Sequence, residues 1–166
     1  VTQLRSAGRF AIDTETTGLD PHTAELVGIS FACGDDDGRG AAYLPLAGTE
    51  GATVAWAAAK PILAPLLTDA AVAKVGQNIK YDWRIFAHHG VEIAGYDGDA
   101  MLASWLLDPS RESHGLDFLT EHFLGEPKIP TSAVVDFKAG QTMAQVPVAT
   151  VARYACEDAQ CAWRLA

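Results

Sequence analysis

A short apolar run that stops on two carboxylates constrains this chain more than any other feature. Residues 10–12 read Phe-Ala-Ile, which is typical of a buried β-strand, and Asp13 and Glu15 follow at its end. Because side chains alternate between the two faces of a strand, Asp13 and Glu15 point to the same side. Gly18 then ends the strand in a turn. Two acids at the mouth of a buried strand are costly without a positive charge between them, so we expect a divalent metal ion and further ligands elsewhere.

The charge balance limits how this chain could contact nucleic acid. It has 166 residues and is 49% hydrophobic and 20% charged, which favours one folded domain with a substantial core. Its formal net charge is −9, and an acidic surface repels phosphate backbones. Binding through a broad basic patch is therefore disfavoured, and any contact with nucleic acid has to be short, local and assisted by metal ions.

Other bulk features concern the setting of the protein. Three cysteines form no CxxC pair, which fits a reducing compartment, and neither an apolar run nor an N-terminal signal indicates a membrane. We therefore expect a soluble, cytoplasmic monomer without a membrane partner. Because the sequence starts at Val1 and stops at Ala166 inside a helical pattern, we also expect it to be a piece of a longer chain.

The rest of the hydrophobic pattern predicts an α/β domain with a mixed sheet. Pro61 and Pro65 predict a kink or a break in the first helix, and Asp99 is the predicted N-cap of a later one. Residues 127–142 have no period and are interpreted as a mobile loop. We expect further strands at residues 25–32, 41–44, 71–76 and 91–94, a turn at 34–38, and helices at 53–67, 78–89, 100–107, 116–124 and 148–165.

Two predicted helices carry polar residues at a spacing of four. Asn78 and Asp82 lie one turn apart near the start of one helix, and Tyr154 and Asp158 lie one turn apart on the last helix. Such pairs also occur by chance, and their simplest explanation is an exposed polar face. Small residues beside Tyr154, such as Ala155, would let the last helix approach the sheet closely.

Taken together in this order, the three motifs resemble those of the DEDD 3′–5′ exonucleases, and the position of Tyr154 resembles the DEDDy branch. Residues 25–30, 75–82, 99–102 and 154–159 are similar to the proofreading domain of a bacterial family A, DNA polymerase I-like enzyme. This resemblance spans essentially the whole chain. It implies a ribonuclease H-like fold with a five-stranded mixed sheet flanked by helices. It also implies a single 3′–5′ exonuclease domain over residues 1–166, expected to be a fragment of a longer bacterial polymerase.

The resemblance implies a site built on hard oxygen ligands, which suit Mg²⁺ or Mn²⁺ better than zinc. Two such ions can stabilise both the attacking and the leaving oxygen of a phosphoryl displacement. Tyr154 would orient the attacking water through its hydroxyl, with proton acceptance as a second role. The implied ligands of the two metal ions are Asp13, Glu15, Asp82 and Asp158.

Substrate contacts are also implied by the resemblance. Glu15 and Thr16 would lie near the terminal 3′-hydroxyl, with Leu19 as an apolar wedge, although Leu19 could equally be a turn residue that covers the core. The loop at residues 131–141 departs from the relatives, which often carry an aromatic residue near its start. They also often have Arg or Asn where this chain has Ser113, and Phe137 or Arg111 could substitute. The full set of expected substrate-binding residues is Thr14, Thr16, Leu19, Gln77, Asn78 and Tyr81.

The leading interpretation is a two-metal-ion exonuclease that releases 5′-nucleoside monophosphates from the 3′ end of single-stranded or frayed DNA. Its expected partners are that DNA end and the polymerase domain of the same parent chain. One alternative is a ribonuclease D-like exonuclease acting on RNA. Another is a catalytically weak structural domain of a polymerase, which the retention of all four acids and Tyr154 disfavours.

Overall fold

Strand β1 (Arg9–Thr16) lies at the centre of a five-stranded sheet in the computed structural model, which describes residues 1–34 and 40–166. The strand order is β3-β2-β1-β4-β5. The pairs β1–β2 and β2–β3 are antiparallel, whereas β1–β4 and β4–β5 are parallel, so the predicted mixed sheet is confirmed. The other strands are β2 (Leu26–Ala32), β3 (Ala41–Pro45), β4 (Ala73–Gly76) and β5 (Tyr96–Asp99).

Helices flank the sheet, and none of those described is both long enough and apolar enough to cross a bilayer. They are α1 (Thr2–Ala7), α2 (Trp56–Leu67), α3 (Ile79–His88), α4 (Ala100–Leu107), α5 (Leu116–Leu119), which continues into a π-helical turn (Thr120–Leu124), and α6 (Val148–Leu165). Three short 3₁₀ turns (Thr131–Ala133, Phe137–Ala139 and Met143–Gln145) precede α6.

The two faces of β1 pack against different helices. Phe10 and Ile12 are fully buried in a large apolar core with residues of α2 and α3. Ala11 faces the other way and packs against Ala159 and Ala162 of α6, all of them essentially without exposed surface. These small side chains let α6 lie directly on the sheet.

Two elements differ from the prediction. The strand expected at residues 91–94 is absent: Val91 and Ile93 are buried, but they anchor a connecting segment to the core. The strand that pairs with β4 is instead β5, whose Tyr-Asp-Gly-Asp sequence lacks the apolar alternation typical of a strand. Helix α2 also runs through Pro61 and Pro65 without a break, because both prolines lie on its exposed face, where water can reach the freed carbonyl groups.

Smaller differences concern ends and loops. Helix α1 is not predicted by the sequence pattern, and α2 begins three residues later than expected. The turn expected at residues 34–38 lies, beyond Gly34, outside the described residues. The segment interpreted as a mobile loop, residues 127–142, contains two 3₁₀ turns and the buried side chains of Lys128 and Val135.

The Asp99 carboxylate, at the end of β5, caps two helices at once. Oδ1 accepts hydrogen bonds from the backbone N–H groups of Met101 (2.9 Å) and Leu102 (3.2 Å), as the predicted N-cap of α4 requires. Oδ1 and Oδ2 also accept from the N–H groups of Asn78 and Ile79, each at 3.0 Å, at the start of α3. One side chain therefore satisfies the otherwise unpaired donors of both helices.

Replacing this double cap should destabilise the fold measurably. We expect Asp99→Ala to lower the free energy of unfolding by roughly 1–4 kcal/mol, because two helix caps of about 0.5–2 kcal/mol each are lost. Urea unfolding followed by circular dichroism measures the change. Asp97→Ala is the matched control, since it removes only the surface ion pair with Arg9, worth about 0–1 kcal/mol. Equal losses in the two variants would contradict the capping role.

Candidate active site

The end of β1 delivers two acids to the α6 side of the sheet. Asp13 and Glu15 follow Ala11 at intervals of two and therefore share its face. Asp13 lies opposite Ser30 of β2, whose hydroxyl is 3.5 Å from Asp13 Oδ2. Glu15 lies opposite Gly28, where any larger side chain would run into the ring of Tyr43. The glycine thus makes room for the Tyr43 ring on the strand next to Glu15.

The opposite face of β1 holds the third acid. Thr14 points towards α3, and its N–H (3.0 Å) and hydroxyl (2.6 Å) both donate to Oδ1 of Asp82. Asp82 is buried on the first turn of α3, which Asp99 caps. Strand β1 therefore positions Asp82 as well as its own two acids.

Helix α6 contributes the fourth acid and a tyrosine. Tyr154 and Asp158 lie one turn apart and are both buried. The Tyr154 hydroxyl shares a hydrogen bond of 2.8 Å with the hydroxyl of Thr131, in the segment that precedes α6. The close packing of α6 on β1 brings this pair to the Asp13 side of the sheet.

The four acids lie close enough to repel one another. Burial is the main reason why the pKa of Asp13 lies well above its usual value, and the charges of Glu15, Asp82 and Asp158 raise it further. Burial, followed by repulsion from Asp158 and Asp82, raises the pKa of Glu15 to about 8. Burial likewise raises the pKa of Asp82 to about 7 and that of Asp158 to about 6. A positive charge among these carboxylates would relieve the repulsion.

One such charge belongs to Lys128, which sequence reasoning missed. Its side chain is only 1% exposed, and Nζ is 2.9 Å from Oδ1 of Asp158. The sign that could have revealed it is composition: Lys128 is the one charged residue within residues 127–135. A lone lysine among apolar and hydroxyl residues is more often buried with a partner than a lysine in a charged run.

A cleft of about 210 Å³ opens beside the acids. Leu19 lies at its edge and is 89% exposed, so it does not cover the core. The Tyr81 hydroxyl bonds to Thr16 Oγ1 (2.7 Å) and to the carbonyl of Gly18 (2.6 Å), which fastens the turn after β1. The lining consists of Thr14, Glu15, Thr16, Gly18, Leu19, Tyr81, Thr131, Phe137, Met143 and Tyr154.

Two of the predicted substrate residues lie outside that lining. The side-chain amide of Gln77 donates to the carbonyl of His114 at 2.8 Å. Asn78 precedes α3 in a left-handed conformation (φ 59°), and its side-chain oxygen accepts from Lys80. The predicted pairing of Asn78 with Asp82 along one helix face is therefore wrong, because α3 begins only at Ile79.

The chemistry of the site fits Mg²⁺ or Mn²⁺. The donors are carboxylates, three of them buried and that of Asp13 partly buried, without histidine or cysteine. Over residues 1–34 and 40–166, no three acidic, histidine or cysteine side chains stand where they could hold one metal ion together. Thr14 engages Oδ1 of Asp82 and Lys128 engages Oδ1 of Asp158. The other oxygens of these two carboxylates are therefore the ones that we expect to face an ion.

Comparison with known sequences gives a match over the full length. A family model described as 3′–5′ exonuclease matches residues 1–166. DNA polymerase I of Rhizobium leguminosarum is 39% identical over 183 residues, covering 99% of this chain and 18% of the relative. DNA polymerase I of Synechocystis sp. is 38% identical over 157 residues, covering 94% of this chain and 16% of the relative. The chain spans less than a fifth of the length of these curated relatives.

Solved structures share the fold. The POL domain of Pol1 from M. smegmatis, in complex with DNA primer-template and dNTP, superposes with a TM-score of 0.72 at 17% identity, covering 99% of this chain and 24% of that one. Brucella melitensis NrnC with bound Mg²⁺ gives a TM-score of 0.67 at 24% identity, covering 95% of this chain and 69% of that one. These likenesses confirm the expected ribonuclease H-like fold. With the match over residues 1–166, they confirm the resemblance too: the chain belongs to the 3′–5′ exonuclease family and is similar, over nearly its whole length, to the exonuclease domain of bacterial DNA polymerase I.

Proposed function

We propose that this chain is a metal-dependent 3′–5′ exodeoxyribonuclease that hydrolyses the terminal phosphodiester of single-stranded or frayed DNA and releases 5′-nucleoside monophosphates. The observation that carries the proposal is the cluster of four carboxylates from β1, α3 and α6 beside a cleft, in a chain of the 3′–5′ exonuclease family. We propose that this domain is the proofreading part of a longer polymerase, where it would receive strand ends from the polymerase domain of the same parent chain.

The proposed ligands of two Mg²⁺ or Mn²⁺ ions are Asp13, Glu15, Asp82 and Asp158. When bound, such ions supply charge stabilisation at the attacking and leaving oxygens of the phosphodiester. The carboxylates hold them, and strand β1 orients three of the four acids, two directly and Asp82 through Thr14. Support comes from the donor chemistry and from Brucella melitensis NrnC, a protein of the same fold with bound Mg²⁺.

Tyr154 has the proposed role of orienting the attacking water. Burial, reinforced by the nearby charge of Asp158, raises the pKa of its hydroxyl well above the usual value. The hydroxyl therefore stays protonated at working pH, which suits an orienting hydrogen-bond donor and argues against proton acceptance.

The cleft is the proposed binding site for the last nucleotide. Thr16 and Tyr81 offer hydroxyl groups at its wall, and Leu19 and Phe137 offer apolar surface at which a base could stack or wedge. Such contacts carry no positive charge, in keeping with a net charge of −9. Thr14 acts by holding Asp82, whereas Gln77 and Asn78 are proposed to support α3 and its neighbours.

The proposal is tested by the degradation of a 5′-labelled single-stranded DNA. We expect a ladder that shortens from the 3′ end with Mg²⁺ or Mn²⁺ and disappears with EDTA. Asp13→Ala should lower the rate by at least about a hundredfold, because a ligand of metal ions that supply several kcal/mol of transition-state stabilisation is lost.

Comparison of DNA with RNA as the substrate in this assay distinguishes the alternative functions. An RNA of the same sequence, degraded faster than the DNA, would favour the ribonuclease D-like interpretation, since the 2′-hydroxyl is the feature that distinguishes the strands. A folded wild-type chain that cleaves neither strand with either metal would contradict the proposal and favour a structural domain.

Tyr154→Phe tests the orienting role of the hydroxyl. We expect kcat to fall by about 10–100-fold, because a reacting group misplaced by about 1 Å can cost about a hundredfold. Tyr96→Phe, which removes a hydroxyl from strand β5 outside the cleft lining, is the control. An unchanged kcat in Tyr154→Phe, or a fall in both variants, would count against the assignment.

The raised pKa values predict that pH and metal act together on stability. Between about pH 4.5 and pH 8 the folded chain keeps a proton on Glu15 that the unfolded chain has released, so stability without metal falls as pH rises. Mg²⁺ favours the ionised carboxylates and should raise the unfolding temperature more at pH 8 than at pH 6.

Thermal unfolding in EDTA and in Mg²⁺ across this pH range gives the measurement. Glu15→Gln is the control, since without the carboxyl group the fall in stability towards pH 8 should become shallower. Stability in EDTA that rises from pH 5 to pH 8 would refute the prediction.

A further inference from the structure

Lys128 lies inside the acidic cluster, where three oxygen atoms surround its ammonium group. Its Nζ is 2.9 Å from Asp117 Oδ1, 2.8 Å from the carbonyl oxygen of Ile129 and 2.9 Å from Asp158 Oδ1. The contacts to Asp117 and Ile129 are hydrogen bonds, and the contact to Asp158 is an ion pair. Nζ also lies 4.7 Å from the centre of the Tyr154 ring, within reach of a cation–π contact.

The segment that carries Lys128 is attached to α6 at two successive residues. Asp158 pairs with the Lys128 side chain, and the Glu157 carboxylate accepts a hydrogen bond of 2.6 Å from the backbone N–H of Ile129. Asp117, at the start of α5, holds the lysine from the outer side and is 59% exposed. The ammonium is therefore fixed relative to α6 by groups on three sides.

The charge of Lys128 is felt by the whole cluster. Burial alone would lower the pKa of the ammonium, but attraction to Asp158 and Asp117 outweighs it, and the pKa lies above its usual value. The same charge lowers the pKa of Asp13, Glu15 and Asp158 against the larger effects of burial and repulsion. Lys128 thus stays positively charged within a site that is otherwise negative.

The ion pair also decides which oxygen of Asp158 remains for a ligand. Oδ1 is fully buried and faces the lysine, whereas the side chain as a whole keeps a 10% exposed fraction. Oδ2 is therefore the oxygen that remains for a metal ion. Without the lysine, Asp158 would lose this partner in a site where Asp13 and Glu15 repel it, and of the contacts described here only that with the Tyr154 hydroxyl would still hold it.

We propose that Lys128 is a positioning residue of the exonuclease, which holds Asp158 through Oδ1 so that Oδ2 is directed to a divalent metal ion. The inference rests on the proposed function, in which Asp158 is a metal ligand. Lys128 does not contact the phosphate in this scheme, because its side chain is buried and its ammonium group is surrounded by three protein oxygens. It acts through Asp158, as groups that hydrogen-bond to metal ligands do in other sites.

Binding of Mn²⁺ without DNA separates this role from a general effect of charge. Loss of a positive charge beside a cation site should by itself tighten Mn²⁺ binding, whereas loss of the group that holds a ligand should weaken it. In the 166-residue chain we expect Lys128→Met to weaken Mn²⁺ binding by about 10–100-fold, measured by electron paramagnetic resonance of free Mn²⁺.

Three further variants make the test specific. Lys138→Met removes an exposed lysine and should leave Mn²⁺ affinity unchanged. In an Asp158→Asn background, Lys128→Met should cause no further loss, because the residue through which it acts no longer binds. If Lys128→Met fails to fold, Lys128→Arg gives the test instead. Arginine keeps the positive charge, but its planar guanidinium cannot reproduce the contact of the compact ammonium group. We expect it to weaken Mn²⁺ binding by a smaller factor than Lys128→Met.

The outcomes distinguish this inference from the function on which it rests. Mn²⁺ binding that is unchanged or tighter in Lys128→Met, with a wild-type chain that cleaves DNA, overturns the positioning role alone. A wild-type chain that binds Mn²⁺ but cleaves neither DNA nor RNA overturns the proposed function. Weaker binding that persists in the Asp158→Asn background also overturns the inference, since the lysine would then act by another route.

Discussion

Repulsion among four closely placed carboxylates, three of them buried, is the constraint around which this domain is built. Three features of the structure place the four acids: a strand places Asp13 and Glu15, two hydrogen bonds from Thr14 place Asp82, and an ion pair with Lys128 places Asp158. Burial of like charges is unfavourable, and burial and this repulsion appear here as raised pKa values. The cluster persists because the surrounding core holds its elements in place, with β1 at the centre of the sheet.

The alternation of side chains between the two faces of β1 explains much of both the core and the site. Even-numbered residues of β1 face α2 and α3, first as the apolar Phe10 and Ile12 and then as Thr14, which binds Asp82. Odd-numbered residues face α6, first as Ala11 and then as Asp13 and Glu15. The change from apolar to polar occurs on both faces at the same point of the strand. The site therefore begins where the core ends, and no separate element is needed to join them.

Sequence alone predicted the parts of this arrangement that depend on local spacing. The alternation of Asp13 and Glu15, the turn between Tyr154 and Asp158, and the cap at Asp99 each involve neighbours along one element. The parts that it missed depend on contacts between distant segments. Lys128 can be buried because Asp117 of α5 and Asp158 of α6 pair with its charge. Strand β5 forms because β4 lies beside it, although the sequence of β5 is not typical of a strand.

The position of Lys128 also bears on how an acidic chain can act on a phosphodiester. A lysine on the surface would attract DNA of any sequence and length over a distance set by the salt concentration. A lysine buried with three oxygen partners offers no such attraction and influences only the acids around it. In the proposed function, attraction of the substrate is left to the cleft and to the ions that the carboxylates would bind. Such a domain would act on a strand end delivered to it by a partner more readily than on one that it must find from solution. This fits its similarity to one part of a much longer polymerase.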